Sequence, residues 1–174
     1  MPESLAERCA RIEMLVVDVD GVLTDGRIVY SDRGEEAKAF HVRDGSGMKL
    51  WVRMGKRLGI ITGRSSTIVS RRAQELGVTA LIQGVDDKGA ALAQMLAEQR
   101  VEPAAVCCVG DDLPDLPMLR ASGLAVAVAD ACEEARQTAH HVTMKSGGRG
   151  AVREVIELIL RHEGRWEEAV KLVG

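Results

Sequence analysis

Short apolar runs alternate with segments whose apolar residues recur at helical spacing along most of the chain. Met14–Val19 predicts a first strand, and Arg57–Ile61, Ala80–Gln83, Ala105–Val109 and Leu124–Val128 predict further ones. Between them, Gly47–Met54, Ser66–Leu76 with Gly77 as its stop, Asp87–Gln99, Leu113–Ala121 and Cys132–Thr138 read as helices. Arg27–Tyr30 and Ala37–Val42 read as a hairpin around Ser31-Asp32-Arg33-Gly34, and Val142–Thr143 as an edge. Ala151–His162 is amphipathic and ends at Gly164, leaving Arg165–Gly174 as a loosely held tail. Repeated strand–helix units of this size predict an α/β fold, a doubly wound and mostly parallel sheet with helices on both faces. No repeat, linker or low-complexity segment interrupts it, so residues 1–174 are expected to form one domain.

Composition narrows the function more than the fold. With 174 residues, 46% hydrophobic and 28% charged, the chain is long enough for one sizeable core. The net charge of −3 argues against a nucleic-acid or anionic-membrane surface. One Tyr, one Phe and two Trp argue against a base-stacking platform. Cys107 and Cys108 are adjacent in an apolar strand while Cys9 and Cys132 stand alone, which suits buried reduced thiols and a cytoplasmic protein. Pro2–Arg8 is charged and lacks the apolar core of a signal peptide.

The chemistry concentrates at strand ends. Asp18-Val19-Asp20-Gly21 follows the first apolar run, and a strand's period of two turns Asp18 and Asp20 to the same side. Adjacent carboxylates repel, so they need a cation or a chemical task. Thr62-Gly63-Arg64 and Gly110-Asp111-Asp112, with Asp115 beyond, follow other strands, and Lys88 opens a helix. In open α/β sheets these carboxyl ends are where ligands bind. A carboxylate attacking a phosphate monoester meets like charge, a cost of roughly 4 kcal/mol per unit pair at 4 Å and an effective dielectric of 20. A divalent cation and a lysine remove that obstacle, and hard oxygen ligands suit Mg²⁺. The expectation is covalent phosphoryl transfer to an aspartate.

These motifs resemble the haloacid dehalogenase superfamily of aspartyl phosphatases. The resemblance implies Asp18 as nucleophile and Asp20 as the acid that protonates the leaving alkoxide and then activates water. It implies Mg²⁺ held by Asp18, the backbone carbonyl of Asp20 and Asp111. It also implies phosphoryl binding by Thr62 and Lys88, with Asp115 in support. Members of that superfamily usually carry a cap after the first motif or before the lysine, and neither gap here holds one. Another subunit is the expected cover, with Tyr30 and Phe40 of the hairpin available for packing or for an interface.

Longer matches sharpen the resemblance: Gly34–Gly47, Ile60-Ile61-Thr62-Gly63-Arg64, Val126–Ala131 and Gly147–Glu154. They resemble the capless subfamily that contains the 3-deoxy-D-manno-octulosonate 8-phosphate phosphatases, which serve lipopolysaccharide precursor synthesis. That likeness implies a homotetramer with packed hairpins and a carboxyl-terminal tail reaching a neighbour's site. It further implies an acidic sugar phosphate met by His41, Val42, Arg43, Asp44, Gly45, Lys49, Arg64 and Arg72, besides Asp20 and Lys88. Relatives acting on nine-carbon sugars carry Glu where Arg64 stands, so a guanidinium favours the eight-carbon acid. Lys49 stands where relatives use Arg, keeping the charge and losing the fork. A nine-carbon sugar phosphatase and a non-enzymatic, receiver-like phospho-acceptor are the alternatives. Gly147–Gly150 is expected to be a turn near the site, and adjacent His140-His141 have the wrong spacing for a helical metal site.

Overall fold

In the computed structural model, residues 3–172 are described. The chain runs α1 (Leu5–Ala10), β1 (Met14–Val17), β2 (Val29–Tyr30), β3 (Glu36–Ala37), α2 (Val42–Arg53), β4 (Arg57–Thr62), α3 (Thr67–Leu76), β5 (Ala80–Gln83) and α4 (Lys88–Gln99). It continues through β6 (Val106–Gly110), a 3-10 turn (Leu113–Asp115), α5 (Leu116–Ala121), β7 (Leu124–Ala127), α6 (Glu133–Thr138), β8 (His141–Val142), α7 (Ala151–His162) and α8 (Trp166–Lys171). The main sheet has the order β5-β4-β1-β6-β7-β8 with every pair parallel, and β2-β3 form a separate antiparallel hairpin.

β1 and β6 lie side by side at the centre and are buried along their whole length, which is why they read as unbroken apolar runs. Helix α7 packs against α1 and α2, and α5 packs against α4 and α6, so both faces of the sheet are covered. The doubly wound α/β architecture therefore stands, with no cap domain among the described residues.

The differences are local. The second hairpin strand ends at Ala37, and Val42 opens α2 five residues before the expected helix start. Gly45 and Gly47 disfavour a helix by propensity, but tertiary contacts require them. A Cβ on Gly45 would collide with the Arg72 guanidinium, and one on Gly47 would come 2.8 Å from Arg153 Cδ, so glycine lets α7 approach α2. The expected loose tail is helical from Trp166 to Lys171, with Ala169 fully buried and the Trp166 ring under the Arg161 and Arg153 guanidiniums at 4.8 and 5.4 Å. Its last residues, Val173 and Gly174, lie outside the described residues, as does Pro2. α1 has a Ser4–Glu7 capping box, a pattern too short to show helical periodicity.

The loop after β1 is tight: the amides of Leu23 and Thr24 donate to the Val19 carbonyl at 2.9 and 3.0 Å. The glycine-rich turn before α7 presses on it from outside. Gly148 donates to the Val22 carbonyl at 2.9 Å, Gly147 donates to Asp130 Oδ1 at 2.9 Å, and a Cβ on Gly147 would collide with the Gly21 carbonyl. We expect Gly147→Ala to cost about 1–3 kcal/mol by overpacking and to lower activity through displacement of this loop. Urea unfolding and steady-state kinetics on the variant check both.

Candidate active site

The carboxyl ends of β1, β4 and β6 open on one cleft of about 190 Å³. It gathers Asp18, Asp20, Thr62, Gly63, Arg64, Lys88, Asp111 and Asp115, with Asp112 and Pro114 completing its wall. Asp18 is the first residue beyond β1. Its amide donates to the Val109 carbonyl at 3.1 Å, extending the β1–β6 pairing and holding the side chain in a buried position. Lys88, the first residue of α4, is 4% exposed rather than solvated. Asp87 caps that helix by accepting the Ala90 amide at 2.9 Å, which fixes where Lys88 begins its reach.

Lys88 Nζ bridges two carboxylates, 2.8 Å from Asp18 Oδ1 and 2.6 Å from Asp115 Oδ1. Asp115 Oδ2 accepts the backbone amides of Asp111 and Asp112 at 2.8 and 3.2 Å, so one buried side chain sets both the lysine and the loop after β6. A Cβ on Gly110 would lie 2.6 Å from Asp115 Cβ, and one on Gly21, where φ is +93°, would collide with Asp111 Oδ2. Glycine at both places is what lets the carboxylates close in.

Carboxylate oxygens of Asp18, Asp111 and Asp115 lie within 4.8 Å of one another. Asp111 Oδ1 is buried with no hydrogen-bond partner among the described residues, and Asp18 Oδ1 has only the Lys88 ammonium beside it. Unsatisfied buried anionic oxygens are expensive, and one lysine offsets only part of this charge. Hard oxygen donors converging in this way fit Mg²⁺. The side chain of Asp115 joins this cluster, whereas that of Asp20 does not: it turns toward the hairpin, accepting from Lys38 Nζ at 2.5 Å.

The electrostatics follow from the burial. Desolvation, with the neighbouring Asp115, raises the Asp18 carboxyl to about 6. Desolvation together with Asp115 and Asp18 raises Asp111 to about 8. Burial alone would lower Lys88, but Asp18 and Asp115 more than reverse it, so the ammonium keeps its proton.

The other sequence-picked residues lie apart. Val42 and Arg72 line a larger neighbouring cleft of about 460 Å³ with Lys38, Phe40, Ile68, Arg71 and Glu75. Arg72 donates to Glu75 at 3.2 Å and stacks 5.5 Å from the Phe40 ring centre. His41 stands at the N-cap of α2. Asp44 is buried and accepts the Gly150 and Arg153 amides at 3.2 and 2.8 Å, tying α2 to the start of α7. Gly45 packs against Arg72, while Arg43 and Lys49 are exposed and line neither cleft. His140 Nδ1 accepts the Ala125 amide at 2.9 Å, a structural use of that side chain.

Sequence reasoning missed the hairpin's contribution. Lys38, Glu36 and Tyr30 contact residues of the cleft from beside it: Lys38 meets Asp20 and lies 3.3 Å from Glu36, Ser66 Oγ donates to Glu36 at 2.6 Å, and Arg64 donates to the Tyr30 hydroxyl at 2.8 Å. The shared parity of Glu36, Lys38 and Phe40 was the available signal.

Comparison with known proteins agrees with this geometry. Residues 81–156 match the haloacid dehalogenase-like hydrolase family. The chain is 45% identical over 170 residues to the 3-deoxy-D-manno-octulosonate 8-phosphate phosphatase KdsC of Yersinia pestis, covering 98% of this chain and 91% of that protein. It is 44% identical over 162 residues to KdsC of Escherichia coli K12, covering 93% and 86%. Among solved structures, the 3-deoxy-D-manno-octulosonate 8-phosphate phosphatase of Moraxella catarrhalis, in complex with magnesium ion, phosphate ion and a KDO molecule, superposes with TM-score 0.94 at 42% identity and 97% coverage of each chain. The cobalt-bound phosphatase of Haemophilus influenzae gives 0.88 at 37% identity, covering 90% and 92%.

A stability prediction follows from the carboxyl groups. Asp18 and Asp111 are raised from 3.8 to about 6 and about 8, so the native state retains protons that the unfolded chain has lost. Without metal, stability should therefore fall as pH rises from about 4 to about 8. Mg²⁺ should oppose that fall, by about 2.7 kcal/mol at one hundred times its Kd. Melting curves in EDTA and in Mg²⁺ across this range test it, and the Mg²⁺-induced gain should grow with pH.

Proposed function

The chain belongs to the 3-deoxy-D-manno-octulosonate 8-phosphate phosphatases of the haloacid dehalogenase-like hydrolases, and on that premise we propose how its cleft works. Its reaction is Mg²⁺-dependent hydrolysis of 3-deoxy-D-manno-octulosonate 8-phosphate to the free sugar acid and phosphate, a step of lipopolysaccharide precursor synthesis. The observation that carries the assignment is the Lys88 ammonium between Asp18 and Asp115, beside the oxygens of Asp111.

In this proposal Asp18 attacks phosphorus, the bond from phosphorus to the sugar oxygen breaks, and Asp20 gives its proton to the leaving alkoxide. A water then loses a proton to the Asp20 carboxylate and attacks the aspartyl phosphate at phosphorus, returning Asp18. Thr62 and Lys88 hold the transferring group's oxygens, and Lys88 carries positive charge where negative charge accumulates. Asp18, Asp111 and the Asp20 carbonyl hold Mg²⁺, with Asp115 setting Lys88 and the Asp111 backbone. When bound, the metal neutralises the phosphoryl oxygens and admits an anionic nucleophile.

Arg64 recognises the sugar carboxylate. Its guanidinium is 44% exposed at the cleft mouth, with Nε 3.8 Å from Asp20 Oδ2, and is lightly held by Tyr30 and Glu36. A guanidinium so placed supports an acidic sugar over a neutral one. His41, Val42, Arg43, Asp44, Gly45, Lys49 and Arg72 remain proposed contributors to the wider substrate surface. For Asp44 that role is indirect, through α7. The receiver-like alternative is not retained, because the curated relatives are phosphatases.

With no cap, the cleft needs another cover. Ile28, Val29 and Tyr30 of the hairpin are 40%, 50% and 58% exposed, which supports hairpin packing between subunits. We assign a homotetramer and a cytoplasmic location, the latter consistent with the four free cysteines. Among the described residues no helix is long and apolar enough to cross a membrane.

Asp18→Asn should abolish turnover without altering the melting cooperativity. A panel of sugar phosphates with Mg²⁺ should show strongest turnover of the eight-carbon acid. Arg64→Ala should raise KM about tenfold or more for the acidic sugar, an ion-paired contact, and change it little for a neutral sugar phosphate. Preference for a nine-carbon acid would overturn the substrate assignment.

A further inference from the structure

We infer that Lys38 is a positioning residue for the proton-transfer step, holding the Asp20 carboxylate toward the reacting oxygen. The hairpin thus contributes to catalysis within the same chain, apart from any role at an interface.

The side chain of Lys38 is only 1% exposed although its backbone lies in a solvent-facing hairpin. Burying an ammonium is costly unless it is paired, so its place needs a partner. That partner is Asp20, whose Oδ1 accepts from Nζ at 2.5 Å, with Glu36 Oε1 at 3.3 Å on the other side. Glu36 is itself anchored across the cleft by Ser66 Oγ at 2.6 Å, just before α3. A chain of contacts thus runs from Ser66 through Glu36 and Lys38 to Asp20, with both ends on the rigid sheet-and-helix body. Among the described residues, Asp20 Oδ1 accepts from Lys38 alone, and Oδ2 accepts no hydrogen bond, its nearest cation being Arg64 at 3.8 Å. The lysine therefore occupies one carboxylate oxygen and leaves the other to carry the proton. Proton transfer depends on geometry of this kind before any other property.

The inference rests on the proposed roles of Asp18 and Asp20, and its test separates the two. Both half-reactions use Asp20 with a sugar ester. With p-nitrophenyl phosphate the leaving group departs without a proton, so only hydrolysis of the aspartyl phosphate depends on it. Lys38→Met keeps the volume and removes the charge. We expect its kcat on the sugar phosphate to fall about 10- to 100-fold, the range of a lost general-acid contribution, with KM within about threefold. On p-nitrophenyl phosphate it should release a burst of about one nitrophenolate per site and then turn over slowly. Asp20→Asn should give the same burst.

If Asp20→Asn gives no burst, the Asp20 reading fails. If Asp20→Asn bursts and Lys38→Met does not, the positioning role alone fails. An unchanged kcat, or a loss carried by KM, also overturns it, the latter marking a substrate contact. Lys38→Gln, which keeps a donor but shortens the reach, is assayed in the same way should the Met variant fail to fold.

Discussion

One buried ammonium between two carboxylates holds this cleft together. Lys88 contacts Asp18 and Asp115 at 2.8 and 2.6 Å, in surroundings where an unpaired charge of either sign would be prohibitive. The pairing leaves a surplus of negative charge once Asp111 is counted, and that surplus is the site's specification for a divalent cation. In the proposed mechanism the same lysine that steadies the unliganded acids faces the anion during reaction. Stability and catalysis thus draw on one set of charges, which is why the site carries raised carboxyl groups instead of relaxed ones.

The parallel sheet delivers these groups because β1 and β6 are adjacent and end together. Burial fixes the strands, and whatever follows their last residues is fixed with them. Glycines do the fine adjustment. Gly21 and Gly110 leave room for Asp111 and Asp115, and Gly147 seats the turn that braces the first loop. What the core does not fix is the β2-β3 hairpin beside the cleft, which depends on polar anchors at Ser66 and Asp20.

Legibility in the sequence followed this division. β1, β5, α4 and α7 came within two residues of their bounds because apolar runs and helical periodicity report burial directly. The cluster of Asp18, Asp111, Asp115 and Lys88 was legible because strand-end acids have no stabilising use on their own. The start of α2 was not, since its glycines serve contacts with Arg72 and α7 that no local pattern reveals. The tether that Asp44 makes to α7 was likewise hidden, since the Gly150 and Arg153 amides it accepts lie more than one hundred residues away. The parity of Lys38 and Glu36 puts them on one side of the hairpin without saying which way that side faces. Only the folded chain shows them turned inward, because their partners lie 18 and 30 residues away.

The proposed mechanism turns on the carboxylate steadied by Lys88 taking the phosphoryl group from substrate. Rapid acid quench of the Asp20→Asn protein with Mg²⁺ and p-nitrophenyl phosphate, whose leaving group departs without a proton from Asp20, followed by peptide mass mapping, measures this directly. The expected result is a base-labile phosphoryl group on the peptide containing Asp18, absent when EDTA replaces Mg²⁺. Phosphate on a different residue, or turnover with an unmodified Asp18 peptide at every quench time, would contradict it.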